Sequence, residues 1–517
     1  MNLRIFAFLC ALATTIHGYN VLVMVPINGK SHWNYMEVFV KELINRGHQV
    51  TCITSITISG PKPDNYTEIL IDPPFNLQNI IKHEDMFSTV SDSPFKTAAI
   101  FPMFANMSTD YALSSKNVQE FIKRTDLYFD LVINEEIYHD VFLMFGKKFN
   151  APVVTICPYG IANFFDYDMG LTTPLSHISH TMLTFTDKMD FSQRWYNAML
   201  SLYDYILHRF IHISAQTKIL KRHFGHMEPL PSIDELRKNI SLIFVNAHRS
   251  ITYPRPSMPG LIFIGGAHIK PPKPLPNNIQ QFLDEAKHGV IYFSLGTVVN
   301  TSKMPKEKLQ VFLDTFRRLK QRVIWKLENE SIPNLPKNVM VKKWLPQTDI
   351  LAHKNIVLFI SHGGMFSNFE AINYGHQLLV IPFVGDQYRN AIRVASTGYG
   401  KFMDFRDITN ESLYGTINEM LTDDVYSKKA KEISAIFREN QVHPMDDFIW
   451  WIEYVIKFRG AKHLKSVAAD MPLFSYLLLD VILVNLFAVS AVIFGVYFFI
   501  NRVLFRKKSI ALDKKQQ

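Results

Sequence analysis

Phe359-Ile360-Ser361-His362-Gly363-Gly364-Met365-Phe366-Ser367-Asn368-Phe369-Glu370-Ala371 holds the end of one element and the start of the next. An apolar strand, Val357 to Ser361, closes in Ser-His-Gly-Gly, and a helical stretch, Met365 to Tyr374, begins just after it. A strand that turns directly into a helix is the repeating unit of a doubly wound α/β sheet. The glycines permit close backbone approach, and the helix start offers unpaired N–H groups to an anion. His362 and the Ser367 hydroxyl add side-chain donors. The segment reads as a diphosphate cradle that needs no metal.

The same alternation continues on both sides of this turn. Val290 to Leu295 reads as a strand, Lys306 to Leu319 as a helix, Val323 to Leu327 as a strand, and Leu378 to Pro382 as extended. A second series lies nearer the start. Val21 to Pro26 is a continuous apolar run, as expected of a parallel strand covered on both faces. A loop, Ile27 to His32, leads into a helix, Trp33 to Asn45, which Gly47 stops. Gln49 to Ile56, Leu131 to Ile133 and Val153 to Ile156 are further strands. Between the two series, Tyr253 to Pro276 is rich in proline and reads as a stiff connection. No fixed-period repeat is present. The expected architecture is two Rossmann-like doubly wound domains facing across a cleft. Residues 19–252 form an N-terminal, acceptor-binding domain, 253–276 the connection, and 277–445 a C-terminal domain. In 446–480, Asp446 to Phe458 is apolar around much of a helix and is expected to pack against those domains rather than lie in a membrane interface.

The ends carry topology. Met1-Asn2-Leu3-Arg4, an apolar stretch from Ile5 to Ile16, and small Gly18 read as a secretory signal over 1–18. Residues 481–500 carry no charge, and about 20 such residues cross a hydrocarbon core. Arg502, Arg506, Lys507, Lys508, Lys514 and Lys515 follow within the 501–517 tail, and clustered positive charge marks the cytoplasmic side. The expectation is a single-pass type I protein with lumenal domains. Lys514-Lys515-Gln516-Gln517 looks like the dilysine retrieval signal of resident endoplasmic-reticulum proteins.

Composition sets bounds. With 517 residues, 48% hydrophobic and 20% charged, the chain is long enough for more than one core. Net charge is +9, much of it in the tail, which leaves no electrostatic footprint for nucleic acid. Cys10 falls in the signal, and Cys52 and Cys157 remain; they could pair, but a domain this long does not need them to. Sequons at Asn65, Asn106, Asn239, Asn300, Asn329 and Asn410 fit a lumenal glycoprotein, with Asn300 close to the expected cleft. Asp166-Tyr167-Asp168 has the form of a divalent-ion motif, but no further hard-cation ligands flank it, so it reads as solvated loop acids. The nineteen histidines show no metal-type spacing.

The turn at His362, continued through Gly375, Ile381-Pro382-Phe383 and Asp386-Gln387-Tyr388-Arg389-Asn390, resembles the signature of the UDP-glycosyltransferase family of animal membrane proteins. Tyr292-Phe293-Ser294-Leu295-Gly296-Thr297 and Lys343-Trp344-Leu345-Pro346-Gln347 look like further blocks of that family, in the same order. The resemblance implies a GT-B fold and an inverting transferase with a UDP-sugar as co-substrate and no cofactor or metal. It implies that Trp344 stacks on uracil, that Gln347 lies beside the uridine, and that Glu370 binds ribose hydroxyls. Ser294, His362, Gly364 and Ser367 would meet the diphosphate, with Gly296 and Thr297 in the same site. Asp386 and Gln387 would contact the sugar. His32, in Asn28-Gly29-Lys30-Ser31-His32-Trp33, resembles the catalytic base, and a histidine's ordinary pKa near 6.5 suits that task. Glu135 stands where the family often has aspartate and is the expected partner, with Glu136 or Asp130 as substitutes. Gln377, Val380 and Phe366 depart from the family pattern without removing a proposed ligand. The expected acceptor is a small lipophile, since such pockets are apolar and aromatic and the chain holds 40 phenylalanines. Detoxification by conjugation is the role the resemblance implies. A non-catalytic lumenal carrier, and transfer to protein or lipid glycans, are the alternatives; homo- and hetero-oligomers both remain open.

Overall fold

Successive side chains of Val21–Val25 leave the backbone on opposite sides. Leu22 and Met24 enter one apolar cluster and Val21, Val23 and Val25 another, all at most 1% exposed. A strand buried on both faces belongs inside a parallel sheet covered by helices, and the computed structural model of the chain has that arrangement twice. It describes residues 18–75, 87, 93–163, 165–166, 169–297 and 299–513. Residues 1–17 of the expected signal, Tyr167 and Asp168 of the Asp-x-Asp motif, and the 514–517 tail lie outside the described residues.

The first sheet contains β1 (Asn20–Val25), β2 (Gln49–Thr54), β3 (Tyr66–Leu70), β4 (Leu131–Glu135), β5 (Val153–Cys157), β6 (Ile240–Val245) and β7 (Leu261–Phe263). Its order is β3-β2-β1-β4-β5-β6-β7, with every neighbouring pair parallel. The second contains β8 (Val290–Ser294), β9 (Arg322–Lys326), β10 (Val339–Lys342), β11 (Ile356–Ser361), β12 (Leu378–Val380) and β13 (Gly400–Phe402). Its order is β10-β9-β8-β11-β12-β13, again all parallel. In each sheet the direction of winding reverses beside the first strand, between β1 and β4 and between β8 and β11. Open α/β sheets bind ligands at the carboxyl ends of strands at such a reversal.

The helices that matter below are α1 (Lys30–Asn45), α2 (Pro94–Ser114), α3 (Phe191–Ile206), α4 (Ile213–Phe224), α5 (Met365–Tyr374), α6 (Gln387–Thr397), α7 (Pro444–Lys457) and α8 (Leu479–Asp513). A π-helical turn, Leu207–His212, joins α3 to α4. Helix α1 starts three residues before the expected Trp33, because the Gly29 carbonyl accepts the Trp33 N–H at 2.9 Å. His32 therefore sits in the first helical turn rather than in a loop.

The segment 253–276 is not only a connection: it contains β7, which pairs with β6 through Val245↔Phe263. Three residues between prolines are too few to show a strand period. Helix α7 buries Phe448, Ile452 and Val455 in the cluster that also holds Val21 and Val23 of β1. The chain thus leaves the first domain after β7 and returns to it after the second. The two crossings lie close together. A Cβ at Gly266, on the way out, would come within 2.6 Å of the Phe437 ring at the end of the second domain's last helix, and Asn440, on the way back, has its Oδ1 3.1 Å from His248 Nε2 of the first domain. Cys52 and Cys157 are buried free thiols.

Residues 466–517 form a separate unit. Within α8, Leu479–Phe505 is long and apolar enough to cross a membrane, and it contains the expected 481–500 span.

Candidate active site

The reversal point of the first sheet places two residues 103 positions apart in contact. Strand β1 runs through Pro26 into α1, which presents His32; the adjacent β4 ends at Glu135, two residues beyond the expected Ile133. His32 Nδ1 lies 2.8 Å from Glu135 Oε1. Glu135 is fully buried, while the His32 side chain is 30% exposed to the cleft. Burial pushes the imidazole pKa down, but the Glu135 charge and hydrogen bond, with Asp386 adding to them, outweigh it and hold His32 above the ordinary histidine value. The alternatives for this partner are occupied elsewhere. Asp130 accepts the Asn20 N–H at 2.8 Å, and Glu136 pairs with Arg237 at 3.3 Å.

The second sheet repeats the device. Strands β8 and β11 end side by side at Ser294 and Ser361. Beyond them the His362 imidazole is held between two glycines. A Cβ at Gly296, whose φ is +74°, would sit 2.6 Å from the ring, and one at Gly364 would sit 2.5 Å from it. Any side chain at either position would displace the ring, and at Gly296 it would also strain the backbone. Burial, together with the charge of Lys326, pushes the His362 pKa down to about 4, so this imidazole is neutral at lumenal or cytosolic pH. Ser294 is buried and accepts the Gly296 N–H at 3.3 Å. Thr297 is exposed on the cleft rim.

Glu370 is buried in the middle of α5, not in its first turn, so it is no helix-dipole charge. Its carboxylate accepts from the Gln347 amide and the Thr348 hydroxyl. Burial raises its pKa, and those two hydrogen bonds oppose the rise. Gln347 also donates to Ser367 Oγ at 2.9 Å and accepts from Tyr292 at 3.1 Å. Trp344 is no core residue: it is 55% exposed, with the Lys30 ammonium 4.5 Å from its ring centroid. Asp386 precedes α6 and accepts from Asn390 Nδ2 at 2.8 Å; burial raises its pKa against the pull of Arg389. Gln387 Oε1 accepts the N–H groups of Phe383 and Val384 at 2.8 and 3.2 Å, fixing the turn before α6.

One cleft of about 2180 Å³ is lined by His32 and by all eleven of the residues assigned to the UDP-sugar, from Ser294 to Gln387; Glu135 lies behind His32 rather than in its wall. Among the lining residues that went unrecognised in the sequence are three polar ones beside the motifs. Lys326 sits at the end of β9 with its ammonium 2.8 Å from Glu328, Thr348 follows Gln347, and Lys30 precedes His32. A lone lysine or threonine beside a motif carries no signal until the sheet order is known. On the side of the first sheet the cleft is walled by α2 and neighbouring loops, including Phe101, Phe104, Met182 and Leu183.

Two sequence readings change. Asp166 is not a solvated acid: it is 2% exposed, paired with Arg255, and accepts the Thr173 hydroxyl. The histidines do include a metal-type spacing. His208 and His212 of the π-helical turn bring ligand atoms within 4.8 Å of one another and of Asp140, although Arg237 and His212 already engage Asp140.

The family model for UDP-glucoronosyl and UDP-glucosyl transferase matches residues 20–516. The chain belongs to this family. Among its relatives, UDP-glucosyltransferase 2 of Dactylopius coccus is 36% identical over 482 residues, covering 93% of this chain and 92% of that one. UDP-glucuronosyltransferase 1A8 of Homo sapiens is 28% identical, covering 89% and 87%. Among solved structures, the calicheamicin glycosyltransferase CalG4 superposes with a TM-score of 0.58 at 17% identity, covering 85% of this chain and 99% of that one. UDP-glucose: anthocyanidin 3-O-glucosyltransferase in complex with UDP gives 0.57 at 16%, covering 86% and 99%. These likenesses establish a GT-B fold. The family, its curated relatives and the fold together make the chain a UDP-glycosyltransferase, an enzyme whose donor is a UDP-sugar.

Proposed function

We propose that this UDP-glycosyltransferase moves a hexosyl or hexuronosyl group, with inversion, from a UDP-sugar to a hydroxyl of a small lipophilic acceptor. The observation that carries the reading is the His32–Glu135 pair, set at one sheet's reversal point and facing the same cleft as His362 at the other's. Glu135 accepts from Nδ1–H and stabilises positive charge on the ring, which leaves Nε2 as the proton acceptor, the orienting role an acid plays beside a catalytic histidine. The acceptor oxygen attacks the anomeric carbon as Nε2 takes its proton. The bond from that carbon to the diphosphate oxygen breaks, and UDP leaves with the electron pair. Its growing charge meets the N–H groups at the start of α5, the Ser367 hydroxyl and the Lys326 ammonium. In this reading Trp344 stacks on uracil, Gln347 and Glu370 hold the uridine, and Asp386 and Gln387 face the sugar, with no metal ion required.

The apolar wall at Phe101 and Leu183 supports a lipophilic acceptor. The span in α8 and the basic residues after it support a type I topology in the endoplasmic reticulum, with conjugation of drugs, toxins or pigments as the role.

The test is UDP release by membranes containing the protein, against a panel of UDP-sugars and simple phenols. Acceptor-dependent release is expected, falling about 10²–10⁴-fold in His32→Ala. Tight UDP-sugar binding without turnover, unchanged by the substitution, would establish a carrier instead.

A further inference from the structure

Helix α6 buries one face in the second domain and holds the first domain with another. Ala391 and Val394 enter the apolar cluster that also contains Val290 and Tyr292 of β8. Arg389, Arg393 and Ser396, at steps of four and three, share a different face. Arg389 Nη1 donates to the Ile161 carbonyl at 3.3 Å, in the loop after β5. Arg393 Nε donates to the Ile251 carbonyl at 2.6 Å, between β6 and β7, with its guanidinium 4.0 Å from the Tyr253 ring centroid. The Tyr253 and Ser396 hydroxyls are 3.0 Å apart. Asp386 and Gln387, the residues assigned to the sugar, stand at the start of this same helix.

Local physics disfavours an arginine at 389. It lies in the first turn of α6, where the helix dipole repels a cation. Burial pushes its pKa down against the pull of Asp386, and Arg255 adds repulsion. Its one hydrogen bond among the described residues goes to the Ile161 carbonyl, not to a carboxylate. A residue at odds with its local setting marks a place where function, rather than folding, sets the choice. The receiving loop makes room for it. A Cβ at Gly160 would lie 2.9 Å from Arg389 Nη2 and 3.6 Å from the Met365 methyl, and the Gly160 backbone is outside the left-handed region. Glycine supplies space there rather than backbone freedom.

We propose that Arg389 is a positioning residue for the donor sugar: it fastens the start of α6, and with it Asp386 and Gln387, to the sheet end that carries His32 and Glu135. The inference rests on the reading of Asp386 and Gln387 as sugar contacts. Strands β4 and β5 are neighbours with Glu135 opposite Ile156, so the loop that receives Arg389 springs from beside the partner of His32. Arg389 is not in the cleft wall and acts through the helix start. The residues assigned to uridine and diphosphate all belong to the second domain, so UDP needs no register with the first. The sugar does need it. Its anomeric carbon must meet the acceptor oxygen at His32, and a misplacement of about 1 Å costs on the order of 10²-fold in rate.

The full chain is purified from membranes, and its affinities for UDP and for the best-bound UDP-sugar of the panel are measured by calorimetry. Arg389→Met is expected to keep UDP affinity within about twofold and to weaken the UDP-sugar about 3–10-fold, as loss of one hydrogen bond implies. Gly160→Ala, in the other domain and outside the cleft wall, should do the same, because its methyl displaces the guanidinium. The double variant should be no worse than Arg389→Met, since both changes act on one contact. In the active enzyme kcat should fall about 10–100-fold in all three. Equal losses for UDP and UDP-sugar would overturn the inference, since general damage to the second domain has that effect. So would additive losses in the double variant. Asp386→Asn separates the inference from the reading beneath it. Loss of sugar preference in Asp386→Asn but not in Arg389→Met sinks the inference alone, and no loss in either sinks both. The calorimetry needs no turnover, so it decides the matter even if acceptor-dependent release is absent.

Discussion

His32 works through a balance between burial, which disfavours the imidazolium, and the Glu135 carboxylate, which favours it. The carboxylate wins, so the ring titrates above 6.5 and carries a proton below that raised value. A protonated ring cannot accept another proton. Activity should therefore fall as pH drops through the raised pKa. Glu135→Gln keeps the shape and removes the charge, leaving burial opposed only by the smaller pull of Asp386. Its acid limb in kcat/KM should move to lower pH, and the plateau should drop about 10²–10³-fold through loss of imidazolium stabilisation. A lower plateau with an unmoved limb would show that Glu135 does not set this titration. Glu135→Asp should fall between the two, because a carboxylate one methylene shorter cannot keep the 2.8 Å contact without moving the backbone. This pairing was half legible in the sequence. His32 and Glu135 each stood in a recognisable segment, but only the β1–β4 adjacency brings them together, and it also assigns Asp130 and Glu136 to other work.

Among the elements, the turns after β8 and β11 matter more than the strands. Each carries a glycine, Gly296 in one and Gly364 in the other, where the His362 ring occupies the space a side chain would need. Gly296→Ala should cost about 1–2 kcal/mol from the left-handed backbone alone. The methyl would also press on the ring from 2.6 Å. The expected outcome is a lower denaturation midpoint and UDP binding weakened at least about tenfold by calorimetry, which is about 1.4 kcal/mol. Wild-type UDP affinity would show that the ring placement is not needed for the diphosphate. Element boundaries were readable where periodicity was long. The helix Met365–Tyr374 was read to the residue, and β1, β5, β8 and β11 to within one or two. The strands β3, β6, β7, β10 and β13 were not read; β7 and β13, at three residues each, show no period of their own and are defined by their neighbours. The start of α1 was misplaced for a related reason: Lys30-Ser31-His32 has no apolar rhythm, and only the Gly29 carbonyl marks the helix.

For the whole molecule, the informative fact is that the chain goes out to the second domain and comes back. Phe448 of α7 is fully buried against Phe39 and Phe244 of the first domain, some 200 residues after that domain's last strand began. Phe448→Ala should cost about 3–5 kcal/mol, and the loss should appear in unfolding of the N-terminal domain. Hydrogen exchange in β1 and β6 should rise with that in α7; exchange confined to α7 would mean the helix is a detachable appendage. The two-domain plan was visible in the sequence, because each domain repeats the same strand–turn–helix grammar. The return was not, because an apolar helix does not say which core it enters. The two crossings come close together where Gly266 lies under Phe437 and His248 reaches Asn440. Two covalent links so close together act like the rivet of a pair of scissors. Sliding and twisting of the blades would stretch the links, while swinging about the rivet would not. Displacement in such a swing grows with distance from the rivet, so the far lips of the cleft travel farthest, and a nucleotide sugar can be admitted and released with little rearrangement at the joint itself.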